Sequence, residues 1–353
     1  MNFRIIFNII GFLLILNGIF MMLGIGFSIY YDSDDIAALL VSGVITSLVG
    51  FTLWFFTKQK ETPDLGKREG YLIVSLGWVS MALFGAIPFM VYGSIPNYTN
   101  AFFETMSGFT TTGATILRDI EALPPGLLFW RSLTQWLGGM GIIVLSIAIL
   151  PLLGIGGMQL FAAEVPGVTK DKIHPRVKET AKRLWGIYVL LTGLETVLLM
   201  FGGLNFFDAI NHSLTTMATG GFSTKNASIA QYTSPFVQYV FIIFMFFAGM
   251  NFTLHYLSLH RKFTYFKENT EFKFYLGFII VATLFILFVH APRINFHWEE
   301  AFRQSLFQVV SLTTTTGYVT SDYENWAPFS RMIFFVLLFI WPVNTLDISI
   351  KVL

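Results

Sequence analysis

Long apolar segments separated by short polar ones dominate this 353-residue chain. A helix needs about 20 apolar residues to cross the hydrocarbon core of a membrane. Eight segments approach or exceed that length, near residues 5–29, 36–56, 71–93, 132–155, 184–204, 236–257, 274–291 and 331–350. The pattern predicts an all-α polytopic membrane protein. The first segment is longer than the apolar region of a signal peptide and lacks a small-residue cleavage site, so we expect a retained transmembrane helix.

Three shorter amphipathic segments interrupt this pattern, and each runs into a stretch rich in threonine and glycine. The amphipathic segments are NAFFETMSGF, NFFDAINHSL and HWEEAFRQSLFQVV, and the stretches are MSGFTTTGAT (106–115), NHSLTTMATGGFST (211–224) and VVSLTTTTGYVT (309–320). If Gly113, Gly220 and Gly317 are equivalent, they lie 107 and 97 residues apart. Gly221 is the alternative to Gly220. The order of helix, half-helix, loop and helix predicts an internally repeated membrane fold.

The composition supports a membrane location and narrows the function. The chain is 54% hydrophobic and 12% charged, whereas soluble domains carry about 25% charged residues. It has no cysteine, which excludes disulfides and thiolate chemistry. The HExxH and GxSxG motifs of hydrolytic enzymes are also absent from the sequence. We therefore predict neither an enzyme, nor a resident cofactor, nor a nucleic-acid partner.

The distribution of basic residues predicts the orientation. If the N-terminus is cytoplasmic, the outer segments hold only six of the 22 basic residues, namely Arg118, Arg131, Lys225, Arg293, Arg303 and Arg331. The remaining basic residues fall in cytoplasmic segments, as the positive-inside rule requires. All three threonine–glycine stretches then face the outer side.

A threonine–glycine loop at membrane depth has a specific chemical use. Irregular backbone is tolerated there only where it is buried in protein or lines water. Successive carbonyl oxygens of such a loop can replace the hydration shell of a monovalent cation. A single copy would more often be an outer turn, but three copies behind short helices favour an ion filter.

Six segments of the sequence carry a family resemblance. They are the three loops, the helix RSLTQWLGGMGIIVLSIAILPLLG (131–154), the connection AEVPGVTKDKIHPRVKETAKRLW (163–185) and the segment FFAGMNFTLHY (246–256). Together they resemble the Trk/Ktr/HKT superfamily of potassium transporters, in particular its TrkH-type pore subunits. The resemblance implies two N-terminal helices and four helix–pore loop–helix units around one pore. It also implies a homodimer in a lipid membrane. A cytosolic nucleotide-binding regulatory subunit of TrkA type would gate the pore. The plasma (inner) membrane of a bacterium is the implied location.

On this resemblance we expect residues 1–70 to hold the N-terminal pair and a cytoplasmic loop. Repeats follow at 71–165, 166–265 and 266–353. The last repeat ends atypically in FIWPVNTLDISIKVL. A fourth loop glycine would fall beyond position 400, so three of four repeats are expected here. A truncated, non-conducting remnant is therefore the alternative to a K⁺ uptake pore.

The resemblance also implies the filter residues, which would bind K⁺ through carbonyl oxygens. They are Thr111, Thr112 and Gly113, then Ala218, Thr219 and Gly220, and finally Thr315, Thr316 and Gly317. Glycine in all three loops favours K⁺, whereas Na⁺ permeation and coupling to Na⁺ or H⁺ stay open.

Four further polar residues have two readings each. Glu104 and Asp208 lie in the amphipathic segments, where they either attract cations or bond to loop amides. Glu195 lies within a predicted span, where an ionisable side chain marks a functional site or an internal hydrogen bond. For His212, beside the second loop, we expect packing or hydrogen bonding rather than ligation.

Overall fold

The computed structural model describes residues 2–58, 67–141, 177–250, 254–255, 258 and 268–337. These residues form helices joined by turns and irregular segments, with no β-strand among them. The all-α prediction is therefore confirmed. The described residues divide near residue 185 into two compact units. The predicted repeat boundaries stay a prediction.

The first unit consists of a helical bundle that includes the first threonine–glycine loop. Its helices are α1 (Phe3–Leu23), α2 (Ile25–Tyr30), α3 (Ile36–Thr57), α4 (Lys67–Gly85), α5 (Ile87–Tyr92), α6 (Tyr98–Phe109) and α7 (Pro125–Trp136). A π-helical turn, Leu137–Gly141, follows α7 and contains a kink at Gly139.

The second unit contains the other two loops. Its helices are most of α8 (Val177–Phe201), then α9 (Phe206–Met217), α10 (Pro235–Ala248), α11 (Thr270–His290), α12 (Trp298–Thr313) and α13 (Pro328–Leu337). Short 3₁₀ turns at Ser228–Gln231, Ala291–Ile294 and Tyr323–Asn325 connect some of them.

Five helical segments of the described chain are long and apolar enough to cross a membrane. They are Phe3–Tyr30, Ile36–Thr57, Arg68–Tyr92, Lys182–Phe201 and Thr270–His290. Each coincides with a predicted span. Helices α10 and α13 are shorter apolar helices. Most of the predicted span 132–155 and the later parts of 236–257 and 331–350 lie outside the described residues.

Helices α1 and α3 pack closely because glycines face each other along their contact. A Cβ on Gly11 would lie 2.7 Å from the carbonyl oxygen of Gly50, and one on Gly18 would lie 2.5 Å from that of Gly43. Each pair is seven residues from the next, which is two helical turns. Small residues let membrane helices approach in this way. Such close packing matters because lipid gives no hydrophobic force between the helices.

Two long-range hydrogen bonds fix α7 within the first unit. The Asp35 carboxylate accepts from the backbone N–H of Leu127 at 2.9 Å, which satisfies a free donor in the first turn of α7. The indole N–H of Trp130 donates to the Gly85 carbonyl at 3.0 Å, where α4 ends. These bonds hold α7 against the elements that precede the first loop.

Candidate functional site: three threonine–glycine loops

Three half-helices, α6, α9 and α12, end at the three loops. The helices α6 and α9 have 12 residues each, and α12 has 16. Asn97 and Asn205 cap α6 and α9 by accepting backbone N–H bonds from the first turn. The short helices predicted before the loops are therefore confirmed. Their carboxyl ends, with partial negative charge, lead directly into the loops.

Each half-helix ends with the same backbone turn. The N–H of one threonine donates to the carbonyl three residues back at 2.8–3.2 Å, and the next N–H donates to the carbonyl five residues back at 2.9 Å. This is a Schellman motif, whose left-handed position is usually glycine. Here it is threonine each time, with φ of 53° at Thr111, 51° at Thr219 and 60° at Thr315. A β-branched residue in this region is strained, and such strain concentrates at functional sites.

The loop glycines fix the register of the three loops. Two residues after the strained threonine, the backbone of each loop takes a positive φ again, with 77° at Gly113, 73° at Gly221 and 80° at Gly317. Gly221, not Gly220, is therefore the structural counterpart of Gly113 and Gly317. The fold therefore has the alternative register, with Gly221 in place of Gly220. In this register the second loop offers Thr219, Gly220 and Gly221, and Ala218 lies one position earlier.

The loops differ in their hydroxyl groups. The first and third loops each contain a hydroxyl pair at 2.8 Å, Thr110 with Thr112 and Thr314 with Thr316. The second loop has Ala218 and Gly220 at these positions and so lacks the pair. The three loops therefore have the same backbone geometry but different side chains.

The second and third loops approach each other closely within the second unit. A Cβ placed on Gly221 would lie 1.8 Å from the carbonyl oxygen of Thr316. Glycine is required there twice, for its positive φ and for this approach. A carbonyl of one loop thus lies against the backbone of the next.

Tyr318, directly after Gly317, ties these two loops together. Its side chain is fully buried. Its hydroxyl contacts the Thr215 hydroxyl and lies 3.2 Å from the His212 carbonyl oxygen, both on α9. Its own carbonyl accepts from the Ser311 hydroxyl of α12 at 2.7 Å. The third loop is thereby held against both half-helices of its unit.

Glu104 holds the outgoing arm of the first loop, that is, the residues that directly follow Gly113. Its carboxylate accepts from the Thr115 hydroxyl at 2.9 and 3.0 Å and from the Ile116 backbone N–H at 2.8 Å. Arg131 of α7 forms an ion pair with it at 2.7 Å, and both side chains are buried. Of the two readings of Glu104, the structure has the one in which it bonds to the loop.

Asp208 and His212 act similarly on the second loop. The Asp208 carboxylate accepts from the Thr224 hydroxyl at 2.6 Å and lies 3.6 Å from the Lys225 ammonium. Burial acts to raise the pKa of Asp208, but the Thr224 hydroxyl and the charge of Lys225 lower it overall. His212 bonds to Ser223 at 2.9 Å. Asp208 therefore also bonds to the loop, and His212 is a hydrogen-bonding residue, as expected.

Glu195 is completely buried in α8. Neither carboxylate oxygen has a hydrogen-bond partner that meets ordinary geometry among the described residues, and the side chain faces Thr216 of α9. The described part of the chain contains no group of three or more His, Asp or Glu side chains that could hold a metal ion.

The sequence patterns did not reveal two of these supporting residues. Arg131 counted only as an outer basic residue, and the spacing of 27 residues from Glu104 gives no sign of their ion pair. Tyr318 is a bulky aromatic directly after a loop glycine, which is a signal that could have marked it for packing between loops.

The family model described as TrkH, cation transport protein, matches residues 36–352. The chain belongs to the TrkH family. It is 42% identical over 340 residues to the Trk system potassium uptake protein TrkH of Escherichia coli K12, covering 93% of this chain and 69% of that protein. It is 34% identical over 341 residues to the Trk system potassium uptake protein TrkG of the same organism, covering 95% and 69%.

The fold is also similar to a solved member of the TrkH family. The crystal structure of the potassium transporter TrkH from Vibrio parahaemolyticus superposes with a TM-score of 0.82 at 34% identity, covering 96% of this chain and 70% of that one. The likeness agrees with a polytopic membrane protein whose half-helices lead into pore loops.

Proposed function

We propose that this chain carries potassium ions across a bacterial inner membrane through its threonine–glycine loops. The observation that carries the proposal is the repeated loop geometry, a half-helix that ends in a left-handed threonine followed two residues later by a left-handed glycine. Strained backbone repeated three times in one chain is retained where it has a use.

The proposed ion ligands are carbonyl oxygens of the three loops. In the structural register they belong to Thr111, Thr112 and Gly113, to Thr219, Gly220 and Gly221, and to Thr315, Thr316 and Gly317. A ring of carbonyls replaces the hydration shell of a monovalent cation. The carboxyl ends of the half-helices add negative potential behind the loops.

Potassium is the ion we propose because the relatives in E. coli are named for potassium uptake. Glycine at the equivalent position of all three loops agrees with that choice. Permeation by Na⁺ and coupling to Na⁺ or H⁺ are separate questions for measurement.

The proposed assembly is a homodimer in membrane lipid, with a cytosolic nucleotide-binding subunit of TrkA type as regulator. The names of the relatives place them in a Trk system, which supports a multi-component transporter. The excess of basic residues in alternate loops supports a cytoplasmic N-terminus.

The test is K⁺ uptake by cells that lack their own K⁺ transporters and express the 353-residue chain. We expect growth at low K⁺ and uptake of ⁸⁶Rb⁺ that excess K⁺ suppresses more strongly than excess Na⁺. Membrane fractionation must show that the chain is inserted. An inserted chain without uptake, with and without a co-expressed regulatory subunit, would contradict the proposal and favour the non-conducting remnant.

A further inference from the structure

One position on the half-helices contacts the outgoing arm in two of the three loops. It lies nine residues before the loop glycine, and it is occupied by Glu104, His212 and Gln308 for Gly113, Gly221 and Gly317 respectively. All three side chains are buried, with exposed fractions of 1%, 0% and 0%. Three different polar residues at one buried position raise the question of what each one holds.

In the first loop the position carries a charge. The Glu104 carboxylate receives hydrogen bonds from Thr115 and from the Ile116 backbone, two and three residues after Gly113. The Thr115 hydroxyl also accepts from the Leu117 N–H at 3.1 Å. Because Arg131 and the loop occupy its oxygens and its exposed fraction is 1%, Glu104 is not placed to bind a passing cation itself.

In the second loop the same contact is made without a formal charge. The Nδ1 atom of His212 lies 2.8 Å from the Asp208 carbonyl, which can only accept, so Nδ1 carries the proton. In the neutral ring Nε2 then accepts from the Ser223 hydroxyl at 2.9 Å. Ser223 lies two residues after Gly221, which is the position of Thr115 in the first loop.

In the third loop the contact is missing. Gln308 has no hydrogen-bond partner for either amide atom within the described residues. The residue two positions after Gly317 is Val319, which has no hydroxyl. This loop is instead held one residue earlier, by the bond from Ser311 to the Tyr318 carbonyl.

We propose that Glu104 is a selectivity-determining positioning residue, which fixes the outgoing arm of the first loop through Thr115 so that its carbonyls keep the spacing suited to K⁺. The inference rests on the proposed function. Without the Thr115 bond the arm is held to Glu104 only through the Ile116 N–H, so the loop can move inward, and carbonyls that move inward fit the smaller Na⁺ better. The effect of losing the contact is therefore on ion discrimination before it is on folding.

The test is Thr115→Val, because it removes the hydroxyl while leaving the buried Glu104–Arg131 pair intact. Thr115→Ser keeps the hydroxyl and should rescue the contact. Thr52→Val is the matched control, since the Thr52 hydroxyl is exposed in α3 and, among the described residues, bonds only to the Leu48 carbonyl of its own helix. Uptake of K⁺ and of Na⁺ is measured for each variant at equal amounts of membrane-inserted protein.

We expect Thr115→Val to raise Na⁺ uptake relative to K⁺ uptake about tenfold, which corresponds to about 1.4 kcal/mol of lost discrimination. Thr115→Ser and Thr52→Val should keep the ratio of the unmodified chain. An unchanged ratio in Thr115→Val, or an equal change in Thr115→Ser, would overturn the inference.

A second measurement separates this inference from the proposed function. The sequence has no cysteine, so Ala114→Cys provides a single thiol on the outgoing arm. A looser arm should make this thiol react severalfold faster in the Thr115→Val background. If the unmodified chain carries no K⁺, the proposed function fails, and unchanged thiol reactivity would independently overturn the positioning role.

Discussion

Replacing Gly317 by alanine separates the role of a loop glycine from the ordinary cost of its backbone angle. Gly317 has φ of 80°, and a Cβ built on it meets no atom within 4 Å. Gly203, which lies in the turn after α8 and outside the loops, has φ of 95° and equally open space. Alanine at either position is therefore strained by its backbone angle alone, which costs about 1–2 kcal/mol. The two variants form a matched pair for stability.

Their effects on transport should differ. Strain at Gly317 is relieved by rotating the peptide that carries the Thr316 carbonyl, which is a proposed ion ligand and lies against Gly221. Strain at Gly203 is relieved in a turn that carries no proposed ligand. We expect similar losses of thermal stability in detergent. We also expect a loss of K⁺ uptake of at least about tenfold for Gly317→Ala only, the factor that corresponds to 1.4 kcal/mol of lost ion stabilisation.

The assay is ⁸⁶Rb⁺ uptake normalised to inserted protein, with the unfolding midpoint of each purified variant measured alongside. Equal uptake by both variants would refute the assignment of Gly317 to the ion path. A much larger loss of stability in Gly317→Ala than in Gly203→Ala would refute the claim that the two sites differ only in function.

Three further predictions concern packing and protonation. Gly221→Ala should destabilise the second unit more than Gly317→Ala does, because its methyl group would lie 1.8 Å from the Thr316 carbonyl oxygen; the comparison of unfolding midpoints tests this. Gly18→Val should lower the amount of folded protein in detergent, because α1 can no longer approach Gly43 of α3, whereas the open Gly26 should accept valine with a smaller loss. Burial lowers the pKa of His212 below its ordinary value of 6.5, so the unfolded chain binds more protons at mildly acidic pH and stability should fall as pH drops below about 6.5. His212→Gln should weaken this pH dependence, and an unchanged pH profile of the unfolding midpoint would contradict the assignment.

Apolar segment length and amphipathic period predicted most of the helices that the structure describes, but α7 begins at Pro125, seven residues before the predicted span 132–155. The half-helices α6, α9 and α12 fall on the three short amphipathic segments, since a helix too short to span must enter and turn. The glycine contacts between α1 and α3 were not predicted. Gly11 and Gly18 lie singly within apolar runs, and only the three-dimensional crossing shows which glycines face each other.

The register of the second loop could not be predicted from the sequence. The letters TGG at 219–221 offer two adjacent glycines for one position, and the spacing to the other loops differs by a residue either way. Only the backbone angles distinguish them, with positive φ at Gly221 and not at Gly220. Which of the two glycines takes the positive φ depends on the hydrogen bonds between the loop and α9, and no local sequence pattern encodes these bonds.

Bonding of Glu104 and Asp208 to the loops was one of the two readings from the sequence, but the partners of these contacts could not be predicted. Glu104 meets Thr115 because the chain reverses at the loop, and its partner Arg131 comes from the next helix. His212 and Ser223 repeat the arrangement with different chemical groups, so an internal comparison of residue types would not match them. Spatial equivalence appears only when both residues are counted from the loop glycine.

The three loops thus combine one backbone geometry with three different supports. A buried ion pair backs the first, a neutral histidine together with the Asp208 carboxylate backs the second, and a tyrosine that crosses to the neighbouring loop holds the third. If carbonyl oxygens bind the ion, the backbone must be alike in every loop, whereas the side chains behind it need only hold it there. Substitutions of the left-handed threonines Thr111, Thr219 and Thr315 should therefore act alike across loops. Substitutions in the supports should act differently in each loop, because a lost buried charge partner costs more than a lost neutral hydrogen bond.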